Sequence, residues 1–253
     1  MTKFVILAVP RTGSTMLSKS LNKHSEIFCD EEIFHFSFRK NSGRNQFKFF
    51  KIKLFSKKLN YVINYPFTFF RIKKFLNQFF TNRRKENYQA RGFKLMYYQT
   101  LYLPGLLTFL KENNIKVVLL LRENIFKNAI SDMRARQTGI YHKHQRPTPN
   151  TPTTQRFKVS VSILKNTMSR IQQQKSQLEK IIKSFDHLRL SYEELTEQWN
   201  NSIKKIETFL DVADEPLEAI TGKLNPENLK EMISNYDDVA EWLEQHDYSD
   251  FID

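Results

Sequence analysis

The chain has 253 residues, with 40 Lys and Arg against 27 Asp and Glu, a net charge of +13 and one cysteine, Cys29. That length is enough to bury a substantial core in one large domain, and 40% hydrophobic with 13% aromatic residues excludes a largely disordered chain. A single cysteine excludes an internal disulfide framework, fits a reducing compartment and reads as a small buried apolar residue. No apolar run approaches the roughly 20 residues of a membrane-spanning helix. Phe4–Val9 is too short for a signal-peptide core. A cytoplasmic protein is expected.

The predicted elements alternate along the chain. Lys3–Val9 is a short Val/Ile/Leu-rich run ending at a Pro/Gly turn, the pattern of a buried strand. Ser14–Asn22 carries helical spacing. From Arg39 to Lys85 there are 14 Lys and Arg and no acidic residue, leaving 26 basic against 27 acidic residues elsewhere. The basicity therefore belongs to one segment. Its phenylalanines suggest two amphipathic helices meeting around Tyr61–Pro66, with Phe faces buried and Lys/Arg exposed.

Arg91–Tyr97 is a second strand candidate and Leu101–Asn113 a helix. Lys116–Leu121 is a continuous apolar run, the mark of a central parallel strand covered on both faces. Helix is expected over Asn124–Gln137, a proline-rich loop over Tyr141–Thr154 and a long amphipathic helix over Phe157–Phe185. A strand at His187–Ser191 and a helix at Tyr192–Leu210 follow. The acidic, polar stretch Glu227–Asp253 is expected to wrap the surface. Strands alternating with helices predict an α/β fold with a central parallel sheet flanked by helices, as one domain over 1–253 with a basic, Phe-rich insert at about 39–88.

Chemistry concentrates in the turn after the first strand, Pro10-Arg11-Thr12-Gly13-Ser14-Thr15. In a parallel sheet this turn faces the ligand crevice. Its backbone N–H groups and the positive end of the next helix suit a phosphate or sulfate. Gly13 permits close backbone approach, Thr12, Ser14 and Thr15 carry hydroxyls, and Arg11 adds a forked cation. The G-x-x-x-x-G-K-[ST] loop of ATP-binding proteins is absent, which disfavours an ATPase or kinase. A plain helix-capping turn is the bland alternative. Arg122 at the end of the Lys116–Leu121 strand, with Ser131 nine residues on, is placed to hold a second phosphate.

Together these residues resemble the P-loop sulfotransferases that use 3′-phosphoadenosine 5′-phosphosulfate (PAPS). The blocks Leu121-Arg122-Glu123-Asn124, Ala129-Ile130-Ser131 and Gln137-Thr138-Gly139-Ile140-Tyr141-His142 are similar to bacterial carbohydrate and glycolipid sulfotransferases of the trehalose and nodulation-factor type. Gly92-Phe93-Lys94-Leu95-Met96 and Leu190-Ser191-Tyr192-Glu193-Glu194-Leu195 match further blocks. The resemblance runs from Phe4 to about Val212 and fails across Phe38–Gln89.

It implies a P-loop nucleotide-hydrolase-like fold and transfer of a sulfuryl group to a carbohydrate or glycolipid hydroxyl, without a metal. By the same resemblance, Arg11–Thr15 would hold the 5′-phosphosulfate and Arg122 with Ser131 the 3′-phosphate. Lys94 and Arg11 would stabilise developing charge, unless Lys94 is a strand-end surface lysine. Tyr192 would lie near the adenine, or serve as a core aromatic. Members acting on small phenols place a His where Met96 stands, and Met96 takes no proton. Carbohydrate-type members use a Glu after the phosphate turn, which points to Glu32, with Glu31 as the alternative. Acidic residues there also fit a helix start. His35 is a substrate contact or a structural histidine.

The insert suits an anionic membrane or an acidic polysaccharide. No nucleic-acid motif accompanies it, so nucleic acid is not an expected partner. A phosphoryl-transfer enzyme with a variant loop and a non-catalytic basic binding protein on the same fold remain the competing readings.

Overall fold

The computed structural model describes residues 1–34, 57–81, 88–103, 105–139, 156–220 and 229–251, with side chains between 57 and 81 described from Thr68 onward. His35, most of the basic insert and the Tyr141–Thr154 loop lie outside the described residues. Five strands form one sheet: β1 (Thr2–Ala8), β2 (Ile27–Asp30), β3 (Ala90–Met96), β4 (Lys116–Leu121) and β5 (His187–Ser191). Their order is β2-β3-β1-β4-β5, and every pairing is parallel.

The helices are α1 (Ser14–Leu21), α2 (Lys57–Thr81), α3 (Tyr97–Tyr102), α4 (Leu106–Glu112), α5 (Ile125–Thr138), α6 (Val161–Ile182), α7 (Tyr192–Glu197), α8 (Trp199–Leu210), α9 (Leu229–Met232) and α10 (Tyr236–Glu244).

A parallel sheet needs apolar cover on both faces, and β1 shows how it is met. Val5, Leu7 and Val9 join one core with Ile72, Leu76, Phe79 and Phe80 of α2, Leu106, Phe109 and Leu110 of α4 and the end of α6. The alternate residues Phe4, Ile6 and Ala8 join a second core with Leu17 and Leu21 of α1 and Ile203, Ile206 and Leu210 of α8. The period of two along the strand divides the two cores. Adjacent β1 and β4 have connections that leave in opposite directions, through α1 and through α5. Their carboxyl ends therefore flank a topological switch point, where ligands of open α/β sheets bind.

The expected strands at the centre are present, and several elements differ from the sequence reading. β2 was not anticipated: Ile-Phe-Cys-Asp is too short to show a period. Asn22 holds its edge by bonding both the Cys29 N–H and the Cys29 carbonyl. Instead of two helices meeting at Tyr61–Pro66, α2 runs unbroken through Pro66. Proline costs one backbone bond, and the buried face Ile72, Leu76, Phe79 and Phe80 offsets it.

The expected helix over Leu101–Asn113 is two helices, because Gly105 caps α4 in a left-handed conformation at φ 74°. Tyr192–Leu210 likewise divides at Gln198 into α7 and α8. Phe157 lies outside α6 and bridges Ile233 in parallel register. The C-terminal stretch is no surface wrap: Leu229, Met232, Ile233, Tyr236, Val239 and Leu243 form a third core with α5 and the first half of α6.

Candidate active site

The turn between β1 and α1 carries two residues in the left-handed region, Arg11 at φ 69° and Gly13 at φ 79°. Between them Thr12 is fully buried and donates its hydroxyl to the Val9 carbonyl at 3.0 Å, which folds the turn back onto β1. Gly13 caps α1 with no side-chain cap, and the first turn of α1 holds no acid. The N–H groups of that turn have no intrahelical acceptor, so the helix presents its positive end to the switch point.

Two connections reach this turn from distant elements. Arg11 Nε donates to Ser131 Oγ at 3.0 Å, bringing α5 to the turn. Lys94 Nζ donates to Thr15 Oγ1 at 2.8 Å and lies 3.2 Å from Glu32 Oε1. Lys94 is only 2% exposed, which removes the surface-lysine alternative. Glu32 does not start a helix; it sits in the turn after β2. Its Oε2 accepts from Tyr98 OH at 2.9 Å and from Gln99 Nε2 at 3.0 Å. Gln99 Oε1 in turn accepts the Met96 N–H at 3.0 Å, so the amide bridges the end of β3 and the Glu32 carboxylate. Burial, the Glu32 charge and the bond to Glu32 all push the Tyr98 phenol above its usual range, so Tyr98 stays a donor.

Ser14, at the start of α1, is buried. The Glu31 N–H bonds the Asp30 carboxylate at 2.8 Å.

On the other side of the turn, the Tyr192 ring packs against Gly13, where a Cβ would stand 2.9 Å from Tyr192 Cδ2. The Arg122 guanidinium lies over the same ring, 4.5 Å from its centroid. Tyr192 is half-buried between the turn and Arg122. Arg122 Nε is buried without a hydrogen-bond partner, 3.8 Å from the Glu193 carboxylate. Burial lowers the Arg122 pKa, opposed by Tyr192 and Glu193. Arg122 and Ser131 were expected as one clamp. Ser131 accepts the hydrogen bond from Arg11, while the Arg122 guanidinium stacks over Tyr192.

Glu193 accepts the Glu123 and Asn124 N–H groups at 2.9 and 3.2 Å, which fixes the turn from β4 into α5. Tyr98, Gln99 and Glu193 had no role in the sequence reading. Glu193 lay within a matched block, whereas nothing in the local pattern marked Tyr98 and Gln99.

A sulfotransferase domain model matches residues 1–253. The chain belongs to the sulfotransferase family. Among solved structures, this sulfotransferase is similar to one from Alicyclobacillus acidocaldarius, at 13% identity and a TM-score of 0.51 over 99% of this chain and 92% of that one. The sulfotransferase domain from the curacin biosynthetic pathway aligns at 13% identity and a TM-score of 0.46, over 92% and 82% of the two chains. Mouse sulfotransferase SULT7A1 complexed with PAP aligns at 14% and 0.45, over 85% and 59%. No curated protein matches by sequence.

The family's donor is PAPS, and the donor set here fits an anionic nucleotide. The fit rests on an uncapped helix start, Arg11, Lys94 and an arginine whose buried Nε lacks a partner.

Proposed function

We propose that this sulfotransferase sulfates a hydroxyl of a carbohydrate or glycolipid, with Glu32 as the general base. The observation that carries the reading is the chain Thr15–Lys94–Glu32, which ties the carboxylate to the phosphate turn through one buried lysine. The glutamate after the turn, with Met96 at the end of β3, supports a carbohydrate-type acceptor over a small phenol. PAPS supplies the sulfuryl group when bound.

The residues of the chain do the rest. Arg11, the first-turn amides of α1 and Lys94 offset the negative charge that develops during transfer. Ser131 orients Arg11. Arg122 supplies the cation for the second phosphate, with Tyr192 beneath it. Tyr98 and Gln99 hold Glu32 through Oε2, and Lys94 lies 3.2 Å from Oε1, which fixes the carboxylate that takes the acceptor proton.

The Glu32→Gln variant is expected to lose about 10²–10⁴-fold in turnover while binding 3′-phosphoadenosine 5′-phosphate in calorimetry as the parent does. Near-normal turnover would remove Glu32 from the role. No nucleotide binding by the parent chain would remove the donor site.

A further inference from the structure

We propose that Phe70 on α2 and Leu101 and Tyr102 on α3, flanked by Lys73 and Lys74, form a face that seats the protein on an anionic lipid bilayer and draws the acceptor from it. Phe70, Leu101 and Tyr102 are 68%, 57% and 63% exposed, half of the six large apolar side chains that are exposed among the described residues. The Phe69 and Phe70 rings lie 5.9 Å apart. Phe69 packs so closely on Gly105 that a Cβ there would come within 2.1 Å of its ring. Gly105 caps α4 three residues beyond Tyr102, so this contact ties α2 to the chain just past the end of α3.

Charge selects the occupant. α2 carries Lys57, Lys58, Arg71, Lys73 and Lys74 with no acidic residue, and α3 carries no charge at all. Lys73 and Lys74 are exposed. Large apolar and aromatic side chains beside solvated lysines are the composition of a helix lying in a bilayer interface, held by apolar burial and by attraction to anionic headgroups.

Position connects the face to the chemistry. Tyr98, which holds Glu32, stands three and four residues before Leu101 and Tyr102, on the same side of α3. An acceptor whose apolar part stays in the bilayer would thus present its hydroxyl one helical turn from the carboxylate. That route for the acceptor rests on the Glu32 reading; the lipid contact itself does not.

The test is co-sedimentation of the full chain with phosphatidylcholine vesicles, with and without phosphatidylserine, alongside calorimetry with 3′-phosphoadenosine 5′-phosphate. The parent is expected to sediment with phosphatidylserine vesicles and to be released by salt. Phe70→Ser and the double variant Lys73→Gln/Lys74→Gln are each expected to reduce partitioning by roughly tenfold or more, with nucleotide affinity unchanged. Absence of sedimentation, or Phe70→Ser sedimenting as the parent does, would overturn the inference. So would a parent dimer that Phe70→Ser converts to a monomer, which would give the face to a second copy. Vesicle binding without nucleotide binding would uphold the lipid face and overturn the donor site instead.

Discussion

At Arg11 the backbone adopts a left-handed conformation at φ 69° that a non-glycine residue occupies at a cost of about 1 kcal/mol or more. The bond to Ser131 and the buried Thr12–Val9 bond hold it there. Tyr98 gives a measurable consequence. Its folded pKa is raised, first by burial and then by Glu32. An unfolded tyrosine ionises near about pH 10. Above that pH the folded state binds more protons than the unfolded state, so the contribution present at neutral pH is lost as pH rises. Tyr98→Phe should therefore cost about 1 kcal/mol at neutral pH, and its stability should fall less steeply above about pH 10. Urea midpoints of both proteins across an alkaline series check this; parallel curves would show that the Tyr98–Glu32 bond does not persist in solution.

Among the elements, α10 departs furthest from its sequence reading. An acidic, polar stretch buries Val239 and Leu243 completely, against α5 and α6. The Phe251 carbonyl then accepts from Asn124 Nδ2 at 3.2 Å, and Asn124 is the residue that caps α5 beside Arg122. The C-terminal helix thus braces the helix that carries Ser131. Leu243→Ala is expected to cost about 2–5 kcal/mol, read as a lowered denaturation midpoint. A helix merely resting on the surface would lose no more than about 0.5 kcal/mol.

Over the whole molecule, two cores share one sheet, and the site lies where the loops of β1 and β4 diverge. Cys29 reports on the integrity of this arrangement. It is fully buried in the core beneath α1, and burial, with Asp30 and Glu31 opposed by Lys94, pushes its thiol far above the usual range. As the single cysteine, it gives a clean readout. Disulfide-reagent labelling is expected to be slow in the native protein and to accelerate with urea in parallel with global unfolding. Saturating 3′-phosphoadenosine 5′-phosphate at about 100 times its Kd should slow it by roughly 100-fold. Labelling insensitive to urea would mean that the edge strand β2 opens alone.

The sequence by itself determined the central strands, the turn between β1 and α1 and the family. Lys116–Leu121 and Phe4–Val9 are apolar enough to be only buried parallel strands, and the Arg11–Thr15 turn is a local object whose residues specify its conformation. Arg122, Ser131, Lys94, Glu32 and Tyr192 could be named as candidates, each standing within or near a recognisable block. What joins them was not legible. Thr15 and Lys94 are 79 residues apart, and Arg11 and Ser131 are 120 apart; only the parallel pairing of β3 and β4 with β1 sets those side chains together. The hold of Tyr98 and Gln99 on Glu32 depends on α3 starting directly at the end of β3, before Gly105 turns the chain. The C-terminal core was hidden for a similar reason. Its apolar residues are few in sequence, and only the docked surface of α5 and α6 makes them a buried face. Tertiary structure decided which groups meet, because a contact between distant strands leaves no period in either of them.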